Sequence, residues 1–201
     1  GAGSAGFDLT VANVDPDPSI DPSGAVLLDG GPTVVAPAGE NVPFDGLAED
    51  PGSDDLTLIW NWGDGTDESR VSLVDPPASD PLPSPTVQPR SEPDQASHSF
   101  AAACLYEVSF SGLDDDGGQG ADAIDVILVG DADQKRNAGY WTSEYRFRKH
   151  PDFPPATLSC YLDIVSHASA VFSAHRPLGS FEDAVNALWP RGSSDADEAL
   201  D

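Results

Sequence analysis

Basic residues are scarce in this sequence. Nine Lys and Arg stand against 35 Asp and Glu in 201 residues, a formal charge of −26. Phosphate recognition needs clustered Lys and Arg, so nucleic acid is excluded as a partner. Long apolar runs are missing too, which excludes a membrane-spanning helix. The hydrophobic fraction is nonetheless 39%, too high for a chain disordered throughout. Methionine is absent, position 1 included. The expectation is a processed chain or a fragment, and a removed signal peptide would leave no trace. Cysteine is limited to Cys104 and Cys160. They form either one bridge or two separately buried thiols, and the sequence leaves both readings open.

The signatures of catalysis are missing as well. No Gly-x-Ser-x-Gly elbow or phosphate-binding loop occurs. His98, His150, His167 and His175 are scattered without a zinc spacing. Neither cysteine has the local context of a catalytic thiol. Carboxylate pairs abound, but glycosidase chemistry needs two at a set separation in a cleft, and a small sandwich offers no obvious one. The chain reads as a non-enzyme.

What is present falls into two regions. Residues 1–130 hold 24 acidic side chains with Arg70 and Arg90 as their only cations, whereas residues 131–201 hold 11 acids and seven bases. Such an acidic surface repels itself unless salt screens it or cations bind it. In the first region apolar residues alternate with polar ones, the period of a strand. Phe7, Leu9 and Val11 alternate with Asp8, Thr10 and Ala12. Residues 15–31 read as a Pro/Gly linker with at most a short strand at 25–28. Residues 32–35 and 41–47 are short strand candidates, and residues 56–62 form the clearest one. There Leu56, Leu58, Trp60 and Trp62 share a face, and the turn Gly63-Asp64-Gly65-Thr66 follows. Residues 76–93 contain seven prolines and read as a long exposed loop. Alternation resumes at 105–111 and 123–129, on either side of the acidic turn Asp114-Asp115-Asp116-Gly117-Gly118.

After residue 130 the period changes. Tyr140, Trp141, Tyr145 and Phe147 cluster near Arg146, Arg148 and Lys149. Residues 155–175 read as one amphipathic helix, with Pro154 and Pro155 in its first turn. A shorter helix follows Ser180 as N-cap, Pro190 ends it, and residues 191–201 read as an acidic tail. The expected fold class is mainly β, a sandwich with a small C-terminal helical appendage. Its parts are a strand and linker over 1–30, the sandwich over 31–130 and the helical region over 131–201.

Four motifs in order carry a resemblance. Trp60-Asn61-Trp62-Gly63-Asp64-Gly65-Thr66 resembles the signature of the polycystic-kidney-disease (PKD) domain, an immunoglobulin-like β-sandwich of secreted and surface proteins. Glu49-Asp50-Pro51-Gly52-Ser53-Asp54 is similar to the acidic loop before that signature. Ser97-His98-Ser99-Phe100 resembles the family's His-x-aromatic element, and Tyr106 to Phe110 with the acidic turn resembles its penultimate strand and turn. The match covers roughly residues 31–130. The Pro-rich insertion and the helical region depart from it, although helical tails opening like Gly139-Tyr140-Trp141 accompany some bacterial members.

The resemblance implies an extracellular or cell-surface setting. It also implies calcium in some members, held here by Asp50, Asp54 and Asp55 with Asp114, Asp115 and Asp116. Hard oxygen ligands from loops at one end of a sandwich suit that ion; the plainer reading is that Asp and Gly make turns. Asp64, flanked by two glycines, reads as a turn residue. Residues 1–13 align with residues 118–130, and residues 11–16 resemble a junction between tandem PKD domains. The strand carrying Phe7, Leu9 and Val11 therefore belongs to a tandem array, joins its own sheet, or completes a neighbouring subunit and builds a filament. The leading expectation is a calcium-stabilised structural subunit whose partner is itself. The alternative is an accessory module of a larger secreted hydrolase or adhesin, binding surface glycans or proteins. Tyr140, Trp141 and Tyr145 could then stack on sugar rings, although the preferred reading is that they anchor the helices to the sandwich.

Overall fold

Each alternating segment can bury one face, and two sheets do so against each other. The computed structural model describes residue 6 and residues 12–52, 55–72, 89–130, 136–147 and 151–188. The strands are β1 (Asp17–Ile20), β2 (Val26–Leu28), β3 (Gly31–Pro37), β4 (Asn41–Asp50), β5 (Leu56–Asn61), β6 (Asp67–Ser72), β7 (Arg90–Ser99), β8 (Leu105–Asp114) and β9 (Gln119–Val129). One sheet has the order β1-β4-β7 and the other β2-β3-β9-β8-β5-β6. Pairing is antiparallel except between β3 and β9, where Thr33 lies beside Asp125 and Pro37 beside Val129. The mainly β class expected from the sequence is thus the observed one, a two-sheet sandwich with a small helical appendage.

The core is built from every second residue. Val42, Phe44 and Ala48 of β4 meet Leu56, Leu58 and Trp60 of β5, Val108 and Phe110 of β8, and Val126 and Leu128 of β9. Aromatic rings run through it in a row. Phe110 lies 4.5 Å from Trp60, Trp60 stacks on Trp62 at 5.6 Å, and Trp62 stacks on His98 at 4.8 Å. Such pairs contribute about 0.5–1.5 kcal/mol each beyond their buried area. The row requires Gly46 on the facing strand, where a Cβ would lie 2.8 Å from the Trp60 ring and 2.9 Å from Phe110.

The edges β6 and β7 belong to different sheets, and two guanidinium groups join them. Arg70 of β6 donates to Asp94 at 2.7 Å, to Glu92 at 3.0 Å and to the Pro93 carbonyl at 3.0 Å. Arg90, buried at the start of β7, donates to the Ser72 hydroxyl at 2.9 Å and to Glu92 at 3.2 Å. The Trp60 indole donates to the other oxygen of Asp94 at 3.0 Å, which ties the core to the same seam. Both cations of the first 130 residues are therefore spent at one seam.

The helical region comprises α1 (Ala138–Tyr145), α2 (Pro155–Ala168), a π-helical turn (Val171–His175) and α3 (Phe181–Leu188). It has its own small core of Tyr145, Leu158, Leu162, Ala184 and Val185, with Trp141, Phe153 and Tyr161 packed against it. Ser180 caps α3, its hydroxyl accepting from the Asp183 amide at 3.2 Å. Three ties hold this region to the sandwich. The Cys104–Cys160 disulfide is formed, so the bridged reading holds. The Gly30 amide donates to the His167 carbonyl at 2.9 Å, and the His167 ring lies 2.7 Å from the Thr33 hydroxyl. The Ser173 hydroxyl meets Asp29 at 3.2 Å.

Several expectations are corrected. Residues 15–31 are not merely a linker, because they carry β1 and β2. The prolines concealed β1, yet Pro18 is tolerated on a strand that pairs on one side only, with β4. The Pro-rich stretch ends earlier than expected: β7 starts at Arg90 and holds Pro93 at a sheet edge. The helix read over 155–175 stops at Ala168 and gives way to the π-helical turn. The aromatics Tyr140, Trp141 and Tyr145 do not anchor the helices to the sandwich; Trp141 stacks on Phe153 and packs edge-on to Tyr161 inside the helical region. The loop over 76–88, Pro190 and the tail over 191–201 lie outside the described residues.

A bridge closing a loop of 56 residues restrains the unfolded chain by about 4 kcal/mol in the chain-entropy model. The double variant Cys104→Ala/Cys160→Ala is expected to lose global unfolding free energy by up to that amount, read as lower hydrogen-exchange protection of the slowest amides in α2 and in β5 and β8 alike. Unchanged protection in α2 would show that the hydrogen-bonded joint at His167 suffices alone.

Candidate functional site

Asp50 and Asp114 come to the same end of the sandwich, and the strand register explains how. Gly46 of β4 faces Phe110 of β8, and the Ala48 methyl lies 3.6 Å from where a Gly112 Cβ would stand. The next step along both strands carries Asp50 and Asp114 into the same end, and both are buried. Gly112 and Gly120 leave room there for Pro16 and Pro18, which lead into β1.

The two aspartates differ in how their charge is met. One oxygen of Asp114 accepts from the Gly118 amide at 2.6 Å and the other from the Asn13 side chain at 2.7 Å. Asp50 Oδ1 accepts from the Gly52 amide at 2.6 Å. Among the described residues, no hydrogen-bond partner reaches the buried Asp50 Oδ2. A buried carboxylate oxygen left in that state costs about 1–3 kcal/mol or more.

The other predicted ligands are arranged more loosely. Asp115 and Asp116 are exposed at the tip of the β8–β9 hairpin, Asp55 is half-buried before β5, and Asp54 lies outside the described residues. Among the described residues, no group of three or more His, Cys, Asp and Glu side chains stands close enough to hold a metal ion. Asp15 was missed by the sequence reading. Its carboxylate lies 2.8 Å from the Cβ position of Gly118, beside Asp114 and Asn13. Its signal is the motif Asn13-Val14-Asp15-Pro16, which resembles a junction between tandem domains and so points to no ligand role.

The signature turn has a separate, structural role. Asp64 Oδ1 accepts from the Thr66 amide at 3.0 Å and hydroxyl at 2.5 Å, and Oδ2 lies 2.8 Å from His98 Nε2. Both oxygens are used, as expected of a turn residue. Gly63 and Gly65 adopt φ of +72° and +92°, and a Cβ on Gly63 would lie 2.5 Å from the Glu107 carbonyl. The Gly-Asp-Gly order is thus imposed by backbone conformation and by the strand beside it. His98 links this turn to the aromatic row, which explains why the two motifs occur together.

The aromatic platform required for sugar stacking is not what Tyr145 and Trp141 form. Tyr145 is buried, and burial pushes its phenol up to about 12. Trp141 packs against Phe153 and Tyr161, and the Tyr140 hydroxyl donates to Asp152 at 2.7 Å. Phe7, Leu9 and Val11 lie outside the described residues.

No family model and no curated protein matches the sequence. Solved structures similar to the chain include the PKD domain of an M14-like peptidase from Thermoplasmatales archaeon SCGC AB-540-F20, at 18% identity over 58% of this chain and 98% of that one, with a TM-score of 0.40. Another is the PKD1 domain of Vibrio anguillarum Epp, at 16% identity over 60% of this chain and all of that one (100%), with a TM-score of 0.37. A third is the BIgI domain of the beta protein from S. agalactiae, solved bound to CEACAM1, at 13% identity over 58% and 99% of the two chains, with a TM-score of 0.31.

The turn and the seam each hold a carboxyl below its ordinary value. Burial raises the Asp64 carboxyl, but hydrogen bonds from Thr66 and His98 outweigh it and hold the group below its ordinary value. Burial likewise raises Glu92, and its bonds to Arg70, Ser72 and Arg90 outweigh that. A lowered carboxyl stabilises the fold above its unfolded value and loses that contribution as pH falls through the folded one. The melting temperature is therefore expected to hold steady from pH 7 to about 5 and to drop below about pH 4. Asp64→Asn should lower it at pH 7 and flatten the drop; an equally steep drop in the variant would remove Asp64 from the explanation.

Proposed function

We propose that the chain is a non-catalytic structural subunit of an extracellular or cell-surface assembly, stabilised by calcium between its acidic loops and joined head to tail through its N-terminal strand. The disulfide between Cys104 and Cys160 supports the setting, because such bridges persist outside the reducing cytosol. The observation that carries the calcium reading is the buried, unpartnered Oδ2 of Asp50 in the same end of the sandwich as Asp114. Calcium takes about 6–8 hard oxygens. Asp50 supplies one, Asp114 supplies another if it releases Asn13, and Asp54, Asp55, Asp115, Asp116, loop carbonyls and water are the candidates for the rest. The ion would neutralise charge that the protein's own donors leave unmet, in a region with 24 acids and two cations. The strand reading rests on the alternation of Phe7, Leu9 and Val11, which gives five residues one apolar face.

Thermal unfolding in calcium and in chelator tests the ion. A ligand at 100 times its Kd stabilises the folded state by about 2.7 kcal/mol, so a clear rise in Tm is expected with calcium. Asp50→Asn should raise the Tm in chelator, by removing an uncompensated buried charge, and abolish the calcium-dependent rise. A wild-type Tm indifferent to calcium contradicts the proposal.

A further inference from the structure

The sandwich has four edge strands, β1, β7, β2 and β6, and they are protected unequally. Edges β6 and β7 are bound to each other by Arg70 and Arg90 and carry Asp67, Glu68, Glu92, Pro93 and Asp94. Charges and proline of this kind block strand addition. β1 holds Pro18, and the Ile20 amide is taken by the Asp122 side chain at 2.8 Å. β2 has none of these devices. It reads Val26-Leu27-Leu28, pairs on one side only with β3, and leaves Val26 49% and Leu27 84% exposed. Residues 22–28 contain no charged side chain. Among the described residues this edge is apolar and uncharged, protected only by its short length.

We infer that β2 is the edge that receives the segment Phe7–Val11 of a second copy of this chain. The inference rests on the head-to-tail reading above and names its acceptor. Three observations favour this occupant. Copies carrying −26 each repel at any charged surface, so contact has to form where charge is absent. Residues 1–11 carry one charged side chain, Asp8, and β2 carries none. Residues 1–5 and 7–11 lie outside the described residues, and from residue 12 on the chain is held at the acidic end, where Asn13 bonds Asp114 at 2.7 Å. Up to eleven extended residues reach about 35 Å from that point, enough to lie along a neighbour. A strand added at β2 would pair its amides and carbonyls with the free side of Val26 to Leu28 and set Leu9 beside the exposed apolar side chains.

Sedimentation velocity of the full chain and single variants tests this. Wild type is expected to form species larger than the monomer, growing with concentration. Leu9→Asp, with a spoiled donor, and Leu27→Lys, with a spoiled edge, should each sediment as monomers. Mixing the two should restore one contact and yield a species of twice the monomer mass that grows no further, because one intact donor meets one intact edge. Val71→Lys, on edge β6 at 58% exposure, should assemble like wild type. If Leu9→Asp is monomeric but Leu27→Lys still assembles, the strand donates elsewhere and β2 is ruled out while the head-to-tail reading stands. If wild type is monomeric at every concentration, or Leu9→Asp assembles normally, both fail. If both variants are monomeric and their mixture stays so, one intact Phe7–Val11 strand and one intact β2 edge do not suffice to join two copies, and the inference is overturned.

Discussion

Self-repulsion is the constraint under which this sandwich folds. Its first 130 residues hold 24 carboxylates and two cations, and every structural choice within them deals with that excess. The two cations are not dispersed. Arg70 and Arg90 meet Glu92, Asp94 and the β6–β7 backbone at one seam, so they close the sandwich and neutralise local charge together. Elsewhere the carboxylates are met by dipoles. Asp64 takes the Thr66 amide and hydroxyl, and Asp114 takes the Gly118 amide and the Asn13 side chain. Glu144, buried in the helical region, takes the amides of Asp152 and Phe153 at 2.8 and 3.2 Å. Hydrogen bonds to a charged acceptor are stronger than neutral ones, which is how backbone groups substitute for missing cations.

Against that pattern Asp50 stands apart. One of its oxygens is satisfied by a turn and the other by nothing in the described protein. The proposed ion belongs where the internal supply of donors runs out. The same constraint shapes the surface. Most of it would repel a second copy, and the proposed contact at β2 is placed where charge is absent. Charge thus favours both a bound cation and the choice of contact, from one compositional bias.

The sequence was readable where apolar alternation and glycine geometry coincide. Trp60, Trp62, Val108 and Phe110 announce the core strands because burying one face demands the alternation, and Gly63 and Gly65 announce the turn because their positive φ excludes other residues. It was unreadable at the edges. β6 is Asp-Glu-Ser-Arg-Val-Ser and most of β7 is polar, since an edge strand needs backbone pairing on one side and no inward apolar row. α1 escaped notice because Gly139 weakens its helical pattern and its aromatics point into a small separate core. The acidic end was half readable: its loops were found, but Asp15 joins them only because Pro16 packs over Gly120, a contact that no spacing in the sequence reports.

The central claim is that repulsion among carboxylates, rather than any shortage of apolar burial, limits the stability of this fold. The most direct measurement is the unfolding free energy as a function of sodium chloride in the presence of chelator. Salt screens the repulsion and also weakens the Arg70 and Arg90 contacts, so the sign of the dependence reveals which dominates. The account predicts a stability that rises steadily from low salt to molar salt. A stability that is flat or falls over that range would contradict it.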